Sequence, residues 1–447
     1  MSGNRPEREA QFMSWGLGLF IHWSLDSQLG SVISHSLVGA SAAYVEKYFS
    51  ELPKTFNPRR FDPHEWAELA RVAGVRYVVM TTKHHSGFCM WDSNVCDFKI
   101  TNTPYAKDIL KEIVDAFRAQ EIRIGFYYSP DDFWWLHQNG YRIARNEEYV
   151  WDTHNPRAAE YYCAQLDELL GGDYGEIDVL FFDGFCESHL KEGKFRYPVL
   201  TAHVHAQHPD VIITRGLMET PEQYTPDQPM PGPWEACYTL GTQWQFKPTN
   251  ETYKSGGDLI RMLIEMRAKG GNLLLNIGPQ PDGQIPFEQD RRVRELALWM
   301  FINEEAVRDV RPWHRIREED IWFTRAAQDP GTLYVHLPND GEWMRGMRRS
   351  FTLASARATE QTTIEVLGQS GEIMEYRRDI EVNPRCAQTN AGLELDIMHY
   401  QRIYNMDQPP WPNPIVVKLT HVEPVGEATE RSGSENTMQH VPGEEMG

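Results

Sequence analysis

The sequence predicts a (β/α)8-type barrel followed by a C-terminal antiparallel β-sandwich. Three observations lead there. Apolar runs of strand length alternate with amphipathic helical stretches from about residue 15 to about 310, as parallel strands covered by helices on both faces would. No GxGxxG opens the first helix and no Walker A motif occurs, so the repeat favours a barrel, distorted or regular, over an open nucleotide-binding sheet. From about residue 312 the pattern turns to short alternating segments separated by turn residues, which suits antiparallel sheets.

The elements follow in order. "GLGLFIHW" is the first strand. "DPHEWAELARVAG" is a helix, with Asp62 as N-cap, Pro63 at the first helical position and Gly74 at its end. "VRYVVMTT", "IRIGFYYS", "IDVLFFDG", "VIITRG" and "NLLLNIGP" read as further strands. Between and around them "AKDILKEIVDAFRAQE", "PRAAEYYCAQLDELLGG", "YPVLTAHVHAQHP" and "GDLIRMLIEMRAKGG" read as helices. The Pro-rich "PDQPMPGPWEACYTLGTQWQF" reads as one long loop. A barrel domain over 1–310 and a sandwich over 311–425 result, the latter from strands such as "TLYVHLP", "TTIEVLG", "GLELDIM" and "PIVVKLT". Residues 426–447 are polar and Gly-rich, and disorder is expected there.

At 447 residues the chain fits one barrel-sized domain plus a smaller one. Its 44 basic against 64 acidic residues give −20, which excludes a nucleic-acid binder, because phosphate recognition needs clustered Lys and Arg. The 14 Trp and 19 Tyr suit stacking on sugar faces, although large cores use them too. Six cysteines (Cys89, Cys96, Cys163, Cys186, Cys237, Cys386) form no CxxC and read as free thiols. The N-terminus has no apolar signal core and no segment reaches membrane-spanning length. A cytoplasmic protein is expected, and a secreted or periplasmic one whose leader has been removed would begin the same way.

In a parallel barrel, reactive side chains lie at the carboxyl ends of strands. His22 closes "GLFIH"; Lys83, His84 and His85 close "VVMTT"; Tyr127, Tyr128 and Ser129 close "IGFYYS". Asp183 closes "VLFF", Arg215 closes "VIIT" and Asn276 closes "NLLL". Each has a plain alternative, and Asp183 before Gly184 could be a turn or cap aspartate. Glycoside hydrolysis needs a second carboxyl group. Glu235, between Trp234 and apolar neighbours, offers one whose pKa would be raised as a general acid requires. Glu187 is the rival, and Asp131 and Asp132 are weaker. "HVH" at His203–His205 resembles a metal pair but lies in a helical pattern, where i and i+2 share no face. No metal or cofactor is therefore expected. A metal-dependent barrel hydrolase and a non-catalytic carbohydrate-binding barrel remain alternatives.

Four stretches, "GLGLFIHWS", "FNPRRFDPHEWAELARVAGVRYVVMTTKHHSGFCMWDS", "FFDGF" and "GGNLLLNIGPQPDG", resemble the α-L-fucosidase family of glycoside hydrolases (family 29) over roughly residues 10–310. The resemblance implies a retaining exo-α-glycosidase that removes terminal L-fucose, or a similar sugar such as L-galactose, from oligosaccharides. It puts the nucleophile on Asp183 and, for the branch with a "WE" loop, the acid/base on Glu235. It implies that His22, His84 and His85 hold sugar hydroxyls, that Tyr127 or Tyr128 is a pocket tyrosine, and that Arg215 stands near the nucleophile. Phe181, Trp91 and Trp234 would wall the pocket. Two departures stand out: the family's "KHHDGF" is "KHHSGF" here, with Ser86, and its acidic and aromatic pair before "FNP" is replaced by Ser34, His35 and Ser36. His35 and its neighbours are thus where glycone choice is expected to lie. The loop "TPDQPMPGPW" would serve either extra sugar subsites or contact with a second copy of the chain.

Overall fold

The computed structural model describes residues 3–145, 147–183, 197–339, 341–344, 346–369, 378–399 and 413–430. Glu187, Cys186 and most of the polar tail lie outside the described residues.

The chain opens with helix α1 (Pro6–Trp15) and alternates through β1 (Leu17–Ile21), α2 (Ala42–Thr55), α3 (Pro63–Val72), β2 (Tyr77–Lys83), α4 (Ile109–Ala119) and β3 (Arg123–Tyr128). Then come α5 (Phe133–Gln138), α6 (Pro156–Leu170), β4 (Val179–Phe182), α7 (Pro198–Gln207), β5 (Ile212–Ile213) and β6 (Glu235–Thr239). The alternation ends with α8 (Gly256–Lys269), β7 (Asn272–Ile277) and α9 (Phe287–Asn303). Local chemistry explains the helix starts. Asp62, Asp108, Asp132 and Asn155 each accept backbone N–H bonds at an N-cap, and Ser255 with Asp258 forms a capping box on α8.

All seven strands pair in parallel, in the order β5-β4-β3-β2-β1-β7-β6. One register line runs Phe20–Val79–Gly125–Val179–Ile212 across β1 to β5. Alternate side chains take opposite sides of the curled sheet. Phe20, Tyr77, Val79, Tyr127, Val179, Phe181, Ile212, Cys237 and Leu274 fill its interior, with Phe12 and Trp15 of α1 packed beneath them. Their neighbours Leu17, Leu19, Ile21, Val78, Met80 and Phe126 pack outward against the helices.

The fold class agrees with the sequence, but among the described residues seven strands stand where eight were expected. β5 has two residues, and residues 215–223 take the eighth place through single bridges, Glu219 to Trp234 and Glu222 to Cys237. Backbone bonds from Glu235 to Glu219 (3.2 Å) and from Cys237 to Pro221 (3.0 Å) close the gap. The "EACYT" part of the expected loop is therefore strand.

Beyond α9 lie β8 (Val310–Glu318), β9 (Ile321–Ala326), β10 (Leu333–Leu337), β11 (Arg348–Leu353), β12 (Ala356–Val366), β13 (Arg385–Gln388), β14 (Leu393–Met398) and β15 (Ile415–Pro424). They form two antiparallel sheets, β12-β15-β10-β9-β8 and β11-β14-β13. Trp313, Phe323, Leu333, Val335, Leu353, Leu395 and Val417 make a second core shared by both sheets. Cys89, Cys96, Cys163, Cys237 and Cys386 are free thiols. Among the described residues no helix is long and apolar enough to cross a membrane.

Candidate active site

The carboxyl ends of β1, β2, β3, β4 and β7 converge on one polar pocket. Tyr127 is the last inward residue of β3, and its hydroxyl donates to Asp183 Oδ2 at 2.5 Å. Arg215, just past β5, donates from Nη1 to Asp183 Oδ1 at 3.2 Å. Its guanidinium carbon lies 4.8 Å from the centre of the Phe181 ring, which floors the pocket. Both carboxyl oxygens of Asp183 are thus held. Burial alone would push this carboxyl up, but the groups around it, His85 first and then Arg215 and Arg145, hold it well below the usual carboxylate range.

The chain turns sharply after Lys83, so His84 and His85 both face the pocket, with ring centres 4.2 Å apart. Gly87 makes this possible. Its φ is +85°, and a Cβ there would meet Asp132 Oδ1 at 2.2 Å. Behind the turn, Lys83 Nζ donates to Asp132 (2.8 Å), Gln165 (2.9 Å) and the Tyr128 hydroxyl (3.2 Å), all out of reach of solvent. Backbone bonds from Phe133 to His85 and from Trp134 to Ser86 fix the turn to the next loop.

The hydrogen bonds assign each imidazole a role. Asn276 Nδ2 donates to the Trp244 carbonyl (2.6 Å), so Asn276 Oδ1 accepts from His22 Nδ1 (2.6 Å) and His22 Nε2 keeps its lone pair. Ser129 spends its hydrogen on the Asp131 carbonyl (2.8 Å), so it accepts from His85 Nδ1 (2.5 Å). His85 Nε2 is then bare, buried and 3.5 Å from Asp183 Oδ2. Two acceptors face each other there; Asp183 Oδ2 already takes the Tyr127 hydroxyl hydrogen, and His85 Nε2 stands open to a donor. His84 Nδ1 accepts the backbone N–H of His85 (2.9 Å), which leaves Nε2–H as a donor. Burial lowers all three pKa values, that of His22 to about 4, so the rings are neutral at pH 7.

One ligand atom each from His84, His85 and Asp183 lies within 4.8 Å of the others. A metal would find lone pairs on His85 and Asp183 but a protonated nitrogen on His84. Two donors fall short of the three protein ligands of a catalytic zinc site.

Several expected residues stand elsewhere. Tyr128 points outward to Lys83 and Gln165, because adjacent strand residues face opposite ways. Trp91 is buried in the helix shell, donating to Glu168 at 2.9 Å, and does not wall the pocket. Trp234 precedes β6 at the barrel's amino end and packs on Gly271. Glu235 is the first residue of β6, wholly buried in the barrel interior, and accepts from the Tyr77 hydroxyl at 2.6 Å. One pleat further on, Cys237 touches Arg215 at 3.9 Å and stands between Glu235 and the mouth. The expected general acid is therefore at the wrong end of its strand. His35 is exposed on the loop after β1, with its pKa lowered by partial burial and by the charge of Arg145.

Three residues the sequence did not single out belong here. Trp244 lies beside His22, ring centres 4.9 Å apart. Arg145 approaches Asp131 at 3.8 Å. Glu222 accepts from Arg215 Nη2 at 2.6 Å, so one guanidinium holds Asp183 at one end and Glu222 at the other. The Glu222 side chain is 42% exposed, at the rim. Its only sequence signal was an acid within forty residues after the strand-end aspartate, a weak one.

Comparison with known proteins bears on the family and the fold. A family model described as "Alpha-L-fucosidase" matches residues 2–305. The chain is 28% identical over 394 residues to a tissue α-L-fucosidase of Rattus norvegicus, covering 80% of each chain. It is 27% identical over 341 residues to an α-L-fucosidase of Branchiostoma floridae, covering 72% of each. Among solved structures, α-L-fucosidase isoenzyme 1 from Paenibacillus thiaminolyticus matches with TM-score 0.71 at 27% identity, covering 93% of this chain and 99% of that one. An α-L-fucosidase from Bacteroides thetaiotaomicron shares the fold, with TM-score 0.69 at 24% identity, covering 95% and 96%.

Proposed function

The chain belongs to the α-L-fucosidase family of glycoside hydrolases, and from that premise we propose that it is a retaining exo-α-L-fucosidase acting on terminal sugars of oligosaccharides or glycoconjugates. One observation carries the reading: an ionised Asp183 at the barrel mouth, gripped by Tyr127 and Arg215, with Glu222 on the far side of the same guanidinium. Asp183 attacks the anomeric carbon. Glu222, in place of Glu235, protonates the departing glycosidic oxygen and then activates the water that releases the sugar. A retaining pair brings its carboxyls to about 5–5.5 Å, and sharing one guanidinium keeps these two close.

His22 and His85 accept sugar hydroxyls and His84 donates to one, while Phe181 and Trp244 supply apolar wall. Because the imidazoles are desolvated and neutral before substrate arrives, a sugar lacking the matching hydroxyl strands a buried nitrogen and is rejected. L-Fucose is the first choice of glycone and L-galactose the second.

The test is rate and rescue on aryl glycosides. Asp183→Ala should lose about 10³-fold or more in kcat, the scale seen when a covalent nucleophile is removed. Azide should return part of the rate as a glycosyl azide of inverted anomeric configuration. Near-normal turnover in Asp183→Ala would sink the assignment, and a panel of fucosyl, L-galactosyl, D-galactosyl and L-arabinosyl substrates fixes the glycone.

A further inference from the structure

We infer that Asp26, Ser24, Ser36 and Tyr48 form a buried site for one alkali cation behind the wall of the sugar pocket. Asp26 lies in the short turn Leu25–Gln28 that follows β1, and it is wholly buried. Ser24 (2% exposed), Tyr48 of α2 (2%) and Ser36 (9%) are buried with it. These are the side chains that face its carboxyl, and Ser86, from the turn after β2, faces Tyr48 in turn. The hydroxyls of Ser24, Ser36 and Tyr48 partly offset the cost of burying that carboxyl, but among the described residues neither Asp26 oxygen, nor any of those hydroxyls, reaches full hydrogen-bond geometry. Among the described residues, the groups that act most on Asp26 are its own backbone and the Tyr48, Ser24 and Ser36 hydroxyls, with no Lys, Arg or His among them.

Such a cluster is unusual, because buried polar groups are nearly always paired. An isolated carboxylate in low dielectric costs several kcal/mol unless it takes up a proton or a counter-charge. Burial pushes the Asp26 pKa up to about 6, so above neutrality the proton has gone and the charge remains. The groups around it come from three separate segments, and all are oxygens. An all-oxygen set suits a hard cation and offers nothing to zinc or copper. One carboxylate among neutral hydroxyls balances one positive charge, which selects a monovalent ion over calcium or magnesium. The position gives the ion a consequence: Ser36 follows His35 and Ser86 follows His85, so an ion held here ties the loop after β1 to the turn that carries two pocket histidines. This inference stands apart from the catalytic assignment, since ion binding is read without substrate.

The experiment is thermal melting of the full chain at pH 8 in sodium, potassium and tetramethylammonium chloride at equal ionic strength. Sodium or potassium should raise the midpoint by about 2–4 °C over tetramethylammonium, which is too large to enter. The difference should close below about pH 5, as Asp26 takes up its proton. It should vanish in Asp26→Asn, which keeps the shape without the charge, and shrink in Ser36→Ala, which serves if Asp26→Asn does not fold. Equal midpoints in all three salts, or a difference that persists in Asp26→Asn, overturn the inference. A rubidium-soaked crystal should carry an anomalous peak between Asp26 and Tyr48, and a peak absent there has the same effect.

Discussion

Glu235 has the pKa of a general acid, raised to about 7 by burial, and stands where no substrate reaches it. A group needs both the proton and the position, and Glu235 lacks the position; Glu222, at the rim, is the acid proposed instead. The two predict different mutants. Glu222→Ala should slow fucosides with poor leaving groups by about 10²–10⁴-fold in kcat/KM and leave activated aryl fucosides far less affected. Equal loss on both would move the acid elsewhere, with Glu187 next to test. Glu235→Gln should keep its activity, because the amide oxygen still accepts from Tyr77. Its effect is on stability. The folded chain holds a proton that the unfolded chain gives up near pH 4.5. Stability from this group is therefore complete below about pH 4.5 and is lost as the pH rises through 7, by about 3 kcal/mol at most. Glu235→Gln should melt above the wild type at pH 8 and level with it near pH 4.5, in melts across that range.

The strands that could be read in the sequence were those with long apolar runs. β1, β2, β3, β4 and β7 each bury every residue, or all but one, on both faces, and that produces the continuous hydrophobic text from which the barrel and its strand-end residues were legible. β6 was not legible, because five residues behind a run of prolines carry too little pattern to separate strand from loop. That single misreading also set the expectation for Glu235: a glutamate in the middle of a loop can reach a substrate, and one buried at the start of this strand is held away from the mouth. Trp91 and Trp234 failed for a related reason, since composition says that aromatics suit a sugar pocket but not which side of a strand they occupy. β1 gives a sharper test of the interior packing. Gly18 faces Tyr77, and a Cβ at Gly18 would lie 2.3 Å from the Tyr77 ring, which Phe12, Trp15 and Glu235 hold in place. Gly18→Ala should cost about 1–3 kcal/mol through overpacking, seen as a lower melting midpoint with kcat on an aryl fucoside preserved. An unchanged midpoint would mean that the ring moves freely.

At the scale of the whole molecule, the barrel and the C-terminal sheets share packing. Val310, Tyr334, Leu367 and Val416, all beyond α9, belong to the same apolar cluster as the barrel strands. Trp299 of α9 donates to the Pro414 carbonyl at 2.9 Å, and Lys418 of β15 pairs with Glu305. The tightest joint is Arg267 at the end of α8, 1% exposed. Its guanidinium donates to the carbonyls of Gly271 (2.6 Å), Val307 (2.8 Å) and Met13 (2.8 Å) and to Asn272 Oδ1 (2.7 Å). One side chain thus ties α1, the start of β7 and the approach to β8 at the end of the barrel opposite the active site. Arg267→Met fills similar space but strands those acceptors, at about 1–3 kcal/mol for each buried carbonyl left without a donor. Because α1, the barrel and β8 all lose a connection at once, calorimetry should show one endotherm in the wild type and one, several degrees lower, in Arg267→Met. Activity measured well below that midpoint should be unchanged, since the joint touches no pocket residue. Two separate endotherms, with only the barrel's shifted, would mean that the sheets fold independently and that Arg267 serves the barrel alone.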